Sequence, residues 1–159
     1  MIFEDKLSEI QKDMISLALE LAEDKIDTAY IYGSYENNSL SFNSFFAKDN
    51  KVYTINKLDQ LGIENLTTDR MFQYLDIGIS DLERLITLFQ EDKKQAPTQL
   101  KLVYDNVNKK AKAQYSYDLF YSNSDTLTSY DIFMEWYKEI KEEVEGHNDF
   151  WRQIYGSTV

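Results

Sequence analysis

The chain carries a single imidazole, His147, and no cysteine among its 159 residues. Thiolate catalysis, Cys-based zinc or iron–sulfur centres and the paired-histidine zinc helix each need residues that this chain lacks. His147 sits in Glu145-Gly146-His147-Asn148-Asp149, a polar stretch that reads as a solvated helix end. Gly33-Ser34 lies inside a strand-like run, without the flanking glycines and strand-to-helix turn of a nucleophile elbow. The five glycines form no phosphate-cradling pattern. Carboxylates are plentiful, and Asp118 and Asp125, flanking a tyrosine-rich loop, are the pair best placed for acid–base or glycosidase work; their ordinary reading is solvation. Asn106 and Asn108 with nearby acids suggest a calcium loop, but Lys109 and Lys110 follow directly and the closing Glu is missing, so a turn is expected. The expectation is a chain that is not an enzyme and has no catalytic residues, cofactor or metal.

What remains is surface chemistry. Net charge is −11 and is unevenly spread. From Thr28 to Tyr117 eleven acids balance eleven bases, whereas Met1–Asp27 carries eight acids against three lysines and Asp118–Asp149 nine against two. A nucleic-acid binder concentrates the opposite sign on one face, so no nucleic-acid partner is expected. An acidic surface suits a basic protein partner and also simply favours solubility. Aromatics make up 14% of the chain, a richness that serves both strands and protein-binding surfaces. The run Tyr115-Ser116-Tyr117-Asp118-Leu119-Phe120-Tyr121 leads into the more acidic terminal segment. Aromatic anchors ringed by carboxylates would hold and steer a basic partner. On that ground Asp118, Tyr121, Asp125, Asp131 and Glu135 are the expected partner-binding residues. The alternative is that Tyr115 and Tyr117 point into the core while Asp118 and Asp125 only solvate the loop.

These residues are carried by a legible series of elements. Phe3, Leu7, Ile10, Met14, Leu17 and Leu21 form an amphipathic stripe that predicts a docking helix from Phe3 to about Glu23. Strand-like runs follow at Thr28–Tyr35, at Leu40–Phe46 and at Lys51–Ile55, separated by the polar turns Glu36–Ser39 and Lys48–Asn50; links this short force antiparallel neighbours. Leu58–Leu66 reads as a loop, and Thr67-Thr68-Asp69 offers caps for a second helix with Phe72, Leu75, Ile79, Leu82, Ile86 and Phe89 as its core stripe. Pro97 precedes strands at Gln99–Tyr104 and Ala111–Tyr117, joined by a turn at Asp105–Asn108. A last helix after Ser129 carries Phe133, Trp136, Ile140 and Val144 on one face. The expected fold is a single domain over residues 1–159, α+β in class, with an antiparallel sheet of about five strands and three helices packed on it in the order α-β-β-β-α-β-β-α.

The opening acids Glu4 and Asp5 do not suit a signal peptide, and no run approaches the ~18 apolar residues of a membrane span. Together with the lack of cysteine, this makes the cytoplasm the expected location. In order and in local strings the chain resembles the YezG-like immunity proteins. The resemblance rests on Phe3-Glu4-Asp5-Lys6-Leu7, Tyr30-Ile31-Tyr32-Gly33, Val52-Tyr53, the long central helix, the Pro97-led strand, Tyr115-Ser116-Tyr117-Asp118 and Trp136-Tyr137-Lys138. The family's Pro and Trp before the first strand have no counterpart in Ala22–Thr28, and Thr98 stands where a Trp is common. The resemblance implies a cytoplasmic antitoxin that binds and neutralises a toxin of a type VII secretion system, several of which are nucleases. It also leaves open a chaperone or adaptor for a type VII secreted protein that does not inhibit catalysis.

Overall fold

The computed structural model describes residues 2–146; His147 lies outside them. Helix α1 (Phe3–Leu21) leads into three strands, β1 (Thr28–Glu36), β2 (Ser39–Lys48) and β3 (Lys51–Thr54). A 3₁₀ helix (Ile55–Leu61) and α2 (Thr68–Glu91) follow, then β4 (Gln99–Asp105), β5 (Lys110–Ser116) and α3 (Ser129–Lys141), which runs on into a π-helical turn (Glu142–Gly146). The five strands make one sheet in the order β3-β2-β1-β4-β5, every neighbouring pair antiparallel. This is the α+β fold expected from the sequence.

The hairpins are set by their turns. Asn37 and Asn38 between β1 and β2, and Asp49 and Asn50 between β2 and β3, all have positive φ. Two consecutive left-handed residues match the twist of the flanking strands, and Asn and Asp bear that conformation at lower cost than other side-chain-bearing residues. Thr67 caps α2 by accepting the Arg70 N–H at 3.1 Å. Thr128 and Asp131 cap α3 reciprocally, each side chain accepting the other's backbone N–H.

Alternation along the strands divides the side chains between two layers. Ala29, Ile31, Phe42, Phe46, Leu100 and Leu102 face α1 and α2 and form the larger core with Met14, Ala18, Leu82 and Leu85. Tyr30, Tyr32, Phe45, Ala47 and Val52 face the other way and pack under α3 against Ile132, Phe133 and Trp136. Rings dominate this smaller core: Tyr30 and Phe45 stack at 4.6 Å, and Trp136 meets both edge-on. On the larger side α2 lies so close to β2 that a Cβ at Gly78 would fall 2.2 Å from the Phe42 ring. Arg84 ties α2 to α1, bonding Asp13 at 2.9 Å and Asp81 at 3.0 Å.

The structure departs from three expectations. Leu58–Leu66 is not all loop: the 3₁₀ helix begins at Ile55, buries Ile55 and Leu58 and ends on Gly62 at φ 75°. Helix α1 stops at Leu21 because Glu23 and Asp24 take left-handed conformations. The α2 stripe is core over Leu82, Ile86 and Phe89 but not at its start, where Phe72 is 62% exposed.

Candidate functional site

The expected binding residues fall on two elements. Asp118, Tyr121 and Asp125 lie on the loop between β5 and α3; Asp131 and Glu135 follow on α3, one turn apart. The loop is stapled down by Glu36, the last residue of β1. Strand alternation turns Glu36 toward the face that carries Tyr32 and Ser34, and only 2% of it is exposed. Its carboxylate accepts the backbone N–H groups of Phe120, Tyr121 and Ser122 and the Ser122 hydroxyl, the last at 2.7 Å. Burial would push this carboxyl up, but the Ser122 hydroxyl and the three N–H groups outweigh it and hold Glu36 below its ordinary value.

Beside it is a cluster of hydroxyls. Ser34 Oγ lies 2.9 Å from both Tyr121 Oη and Ser129 Oγ, and Tyr32 Oη lies 3.2 Å from Ser129 Oγ. Burial raises the Tyr32 phenol above its ordinary range despite its hydroxyl partners, so it stays protonated at neutral pH. The nearby Glu36 carboxylate already accepts four donors, most of them on Oε1. The arrangement therefore buckles β1, the loop and the start of α3 together, and among the described residues the partners of Ser34 Oγ are the hydroxyls of Tyr121 and Ser129 rather than a base.

Tyr121 thus spends its hydroxyl on Ser34, and Asp131 spends its carboxylate on the Thr128 cap. Asp118, Asp125 and Glu135 are exposed. Tyr115, near the end of β5, is half-buried against Phe89 and hydrogen-bonded to Gln11, as the core reading has it, and Tyr117, just past the strand, is exposed. Among the described residues no group of three or more His, Cys, Asp or Glu side chains is placed to hold a metal ion, and no helix is long and apolar enough to cross a membrane.

A groove of about 490 Å³ opens between α2 and α3, just beyond the end of β3. Met71, Phe72 and Leu75 line it from α2, and Tyr130, Met134 and Tyr137 line it from α3. Each set follows the helical spacing that puts residues on one face. Asn43 of β2 and Thr54 of β3 form the floor with the 3₁₀ helix. Phe72 and Tyr130 are 62% and 60% exposed, so two aromatic rings stand in solvent across from each other. Methionine and aromatic walls of this kind adapt to apolar side chains of a partner. Phe72 has Asp69 and Asp76 as its neighbours at i−3 and i+4, and Met134 has Asp131 at i−3; against these acids stand Lys57 and Lys138.

Sequence reasoning missed both Glu36 and the groove. The polar run Glu36–Ser39 reads as a turn, but β1 extends through Glu36, in phase with Tyr30, Tyr32 and Ser34. The groove had a signal in α3, where Tyr130, Met134 and Tyr137 make the helix apolar well beyond the Phe133–Trp136–Ile140 face.

Compared with known proteins, the chain matches no family model and no curated protein.

Proposed function

We propose that this chain acts by capturing another protein in the groove between α2 and α3, and that, following its resemblance to the YezG-like immunity proteins, the captured protein is a secreted toxin that it neutralises. The observation that carries the reading is the pair of exposed rings, Phe72 and Tyr130, on opposite walls of one apolar groove. A soluble protein gains nothing in stability by holding two large rings in water, whereas a partner that covers them supplies the free energy of apolar burial, about 25 cal/mol per Å². The acids that flank the groove and the net charge of −11 favour a basic partner and speed its approach. Catalysis is not part of the proposal: among the described residues the serine-centred cluster bonds hydroxyl to hydroxyl, with no base at Ser34.

The test is site-directed photo-crosslinking from position 72 or 130 in cells, followed by assay of the captured protein. Expression of that protein alone should arrest growth, and co-expression of this chain should restore it. Phe72→Glu with Tyr130→Glu should abolish both the crosslink and the rescue. A captured protein that keeps full activity in the complex would instead make this chain an adaptor or chaperone, and undiminished rescue by the double variant would place the interface elsewhere.

A further inference from the structure

The groove sits where the sheet is incomplete. Strand β1 pairs with β2 along its whole length, Ser39 to Ala47, but β3 pairs only with Phe45–Lys48. The other half of β2, Ser39–Ser44, has no strand on its outer side among the described residues. Val52 donates its N–H away from β2, to Glu145 at 2.9 Å, so Tyr53 and its partner Phe46 are the pair that bond across β2 and β3. Counting back along β2 by twos, Ser44, Phe42 and Leu40 turn their N–H and C=O groups to the outer side; Ser44 is fully buried there, where Ile55 follows Thr54, so the open stretch of the edge is Ser39–Asn43. The N–H of Tyr35 independently agrees, since it turns away from its β2 neighbour Leu40 to bond Thr98 O at 2.8 Å. One of these edge groups is already covered: Asn43 Oδ1 accepts the Ser44 N–H at 2.8 Å, and Asn43 lines the groove. A side-chain amide thus stands where the carbonyl of a neighbouring strand would be.

Resting on the reading of the groove as a capture site, we propose that its occupant is an extended segment of the partner protein, added as a strand along the outer edge of β2 in line with β3. The open edge offers an extended backbone its hydrogen bonds; a helix would leave those groups unanswered. Successive side chains of the added strand point alternately toward α2 and α3, and because both walls are apolar, both alternating sets are apolar. The open stretch of β2, Ser39–Asn43, spans about 17 Å, which fixes the length of the paired segment. Charge complementarity bears on its flanks: among the described residues the groove's lining holds one charged side chain, Lys57, whereas Asp69 and Asp76 on α2 and Glu135 on α3, in a chain of net charge −11, call for Lys or Arg at the ends of the segment rather than along it. The partner segment is therefore a short run of β-branched and aromatic residues, free of proline at the pairing positions and bounded by basic residues.

The experiment is to pan a library of random 12-residue peptides against the purified full chain, then to synthesise the selected peptides with single N-methylated amides. Selected sequences should share an apolar β-forming run with basic ends, and methylation at every second amide should weaken binding at least tenfold while methylation of the intervening amides is tolerated. Sequences with helical apolar spacing, or binding indifferent to N-methylation but lost in Phe72→Glu with Tyr130→Glu, would overturn strand addition and leave the groove as the capture site. Acid-flanked sequences would overturn the charge assignment. Failure to select any peptide, or selection of peptides that bind the double variant as well as the wild type, would overturn the proposal and the groove reading together.

Discussion

Replacing Glu36 by alanine removes the acceptor for four donors at once. Hydrogen bonds to an ionised group contribute about 1.5–3 kcal/mol each, but water re-pairs freed N–H groups wherever it reaches them. Phe120 and Tyr121 are half-buried and Ser122 is exposed, so the uncompensated loss is one to two bonds' worth, about 2–4 kcal/mol. Total stability of a domain is about 5–15 kcal/mol, which makes this a large fraction, equivalent to a fall in Tm of roughly 4–16 °C at this chain length. Urea denaturation of Glu36→Ala and Glu36→Gln measures it, with Gln the milder because it keeps one acceptor oxygen. Acidity gives a second readout. Glu36 is depressed on folding, so its stabilisation is present above its unfolded value, about 4.3, and is lost as pH falls through the folded value. Wild type should therefore lose more stability below about pH 4.3 than Glu36→Gln, which has nothing to protonate there. A Glu36→Ala protein within about 0.5 kcal/mol of wild type, or identical acid limbs for wild type and Glu36→Gln, would refute the view that this carboxylate holds the loop.

Gly78→Ala sets a helix-propensity gain of about 1 kcal/mol against insertion of a methyl group into the Phe42 ring, where overpacking costs about 1–3 kcal/mol; the ring should win, lowering Tm, and Phe42→Leu in the same chain should recover part of the loss. Trp136→Ala empties the centre of the smaller core, since the indole is 6% exposed, and should cost about 3–5 kcal/mol by chemical denaturation. Phe72→Glu and Tyr130→Glu, at exposed positions, should each leave stability within about 0.5 kcal/mol of wild type as read by thermal melting; a large loss would show that these rings support the fold.

The strands were legible because period-two patterning and polar two-residue turns are local signals: Leu40, Phe42 and Phe46 fall on one face and Phe45 and Ala47 on the other, as alternation requires. The caps at Thr67 and the turn at Asp105–Asn108 were legible for the same reason. Phe72 was not. A stripe on a helical wheel shows which side is apolar, but not where the sheet beneath it ends, and α2 starts beyond the end of β3. Nor could Glu36 be placed, since its donors lie more than eighty residues away in sequence. The five residues expected to bind a partner differ in role. Asp131 caps a helix and Tyr121 buckles the loop, while Asp118, Asp125 and Glu135 remain exposed. Glu135 shares α3 with the groove's wall, one residue past Met134.

The sheet is held by two cores of unequal size, and this has a consequence for how the molecule comes apart. The larger core joins α1 and α2 to every strand, whereas α3 is secured by the smaller aromatic cluster, its capping box and the buckle at Ser129. A unit that buries less apolar surface opens at a lower free energy than the whole, so α3 should lift away as a cooperative piece while the α1–α2–sheet unit stays folded. Native-state hydrogen exchange would record this as a plateau for the α3 amides below that of β1. The same helix supplies Tyr130 and Met134 to the groove, so whatever grips those side chains also closes the molecule's least stable unit, and part of the binding free energy is drawn off in holding α3 in place.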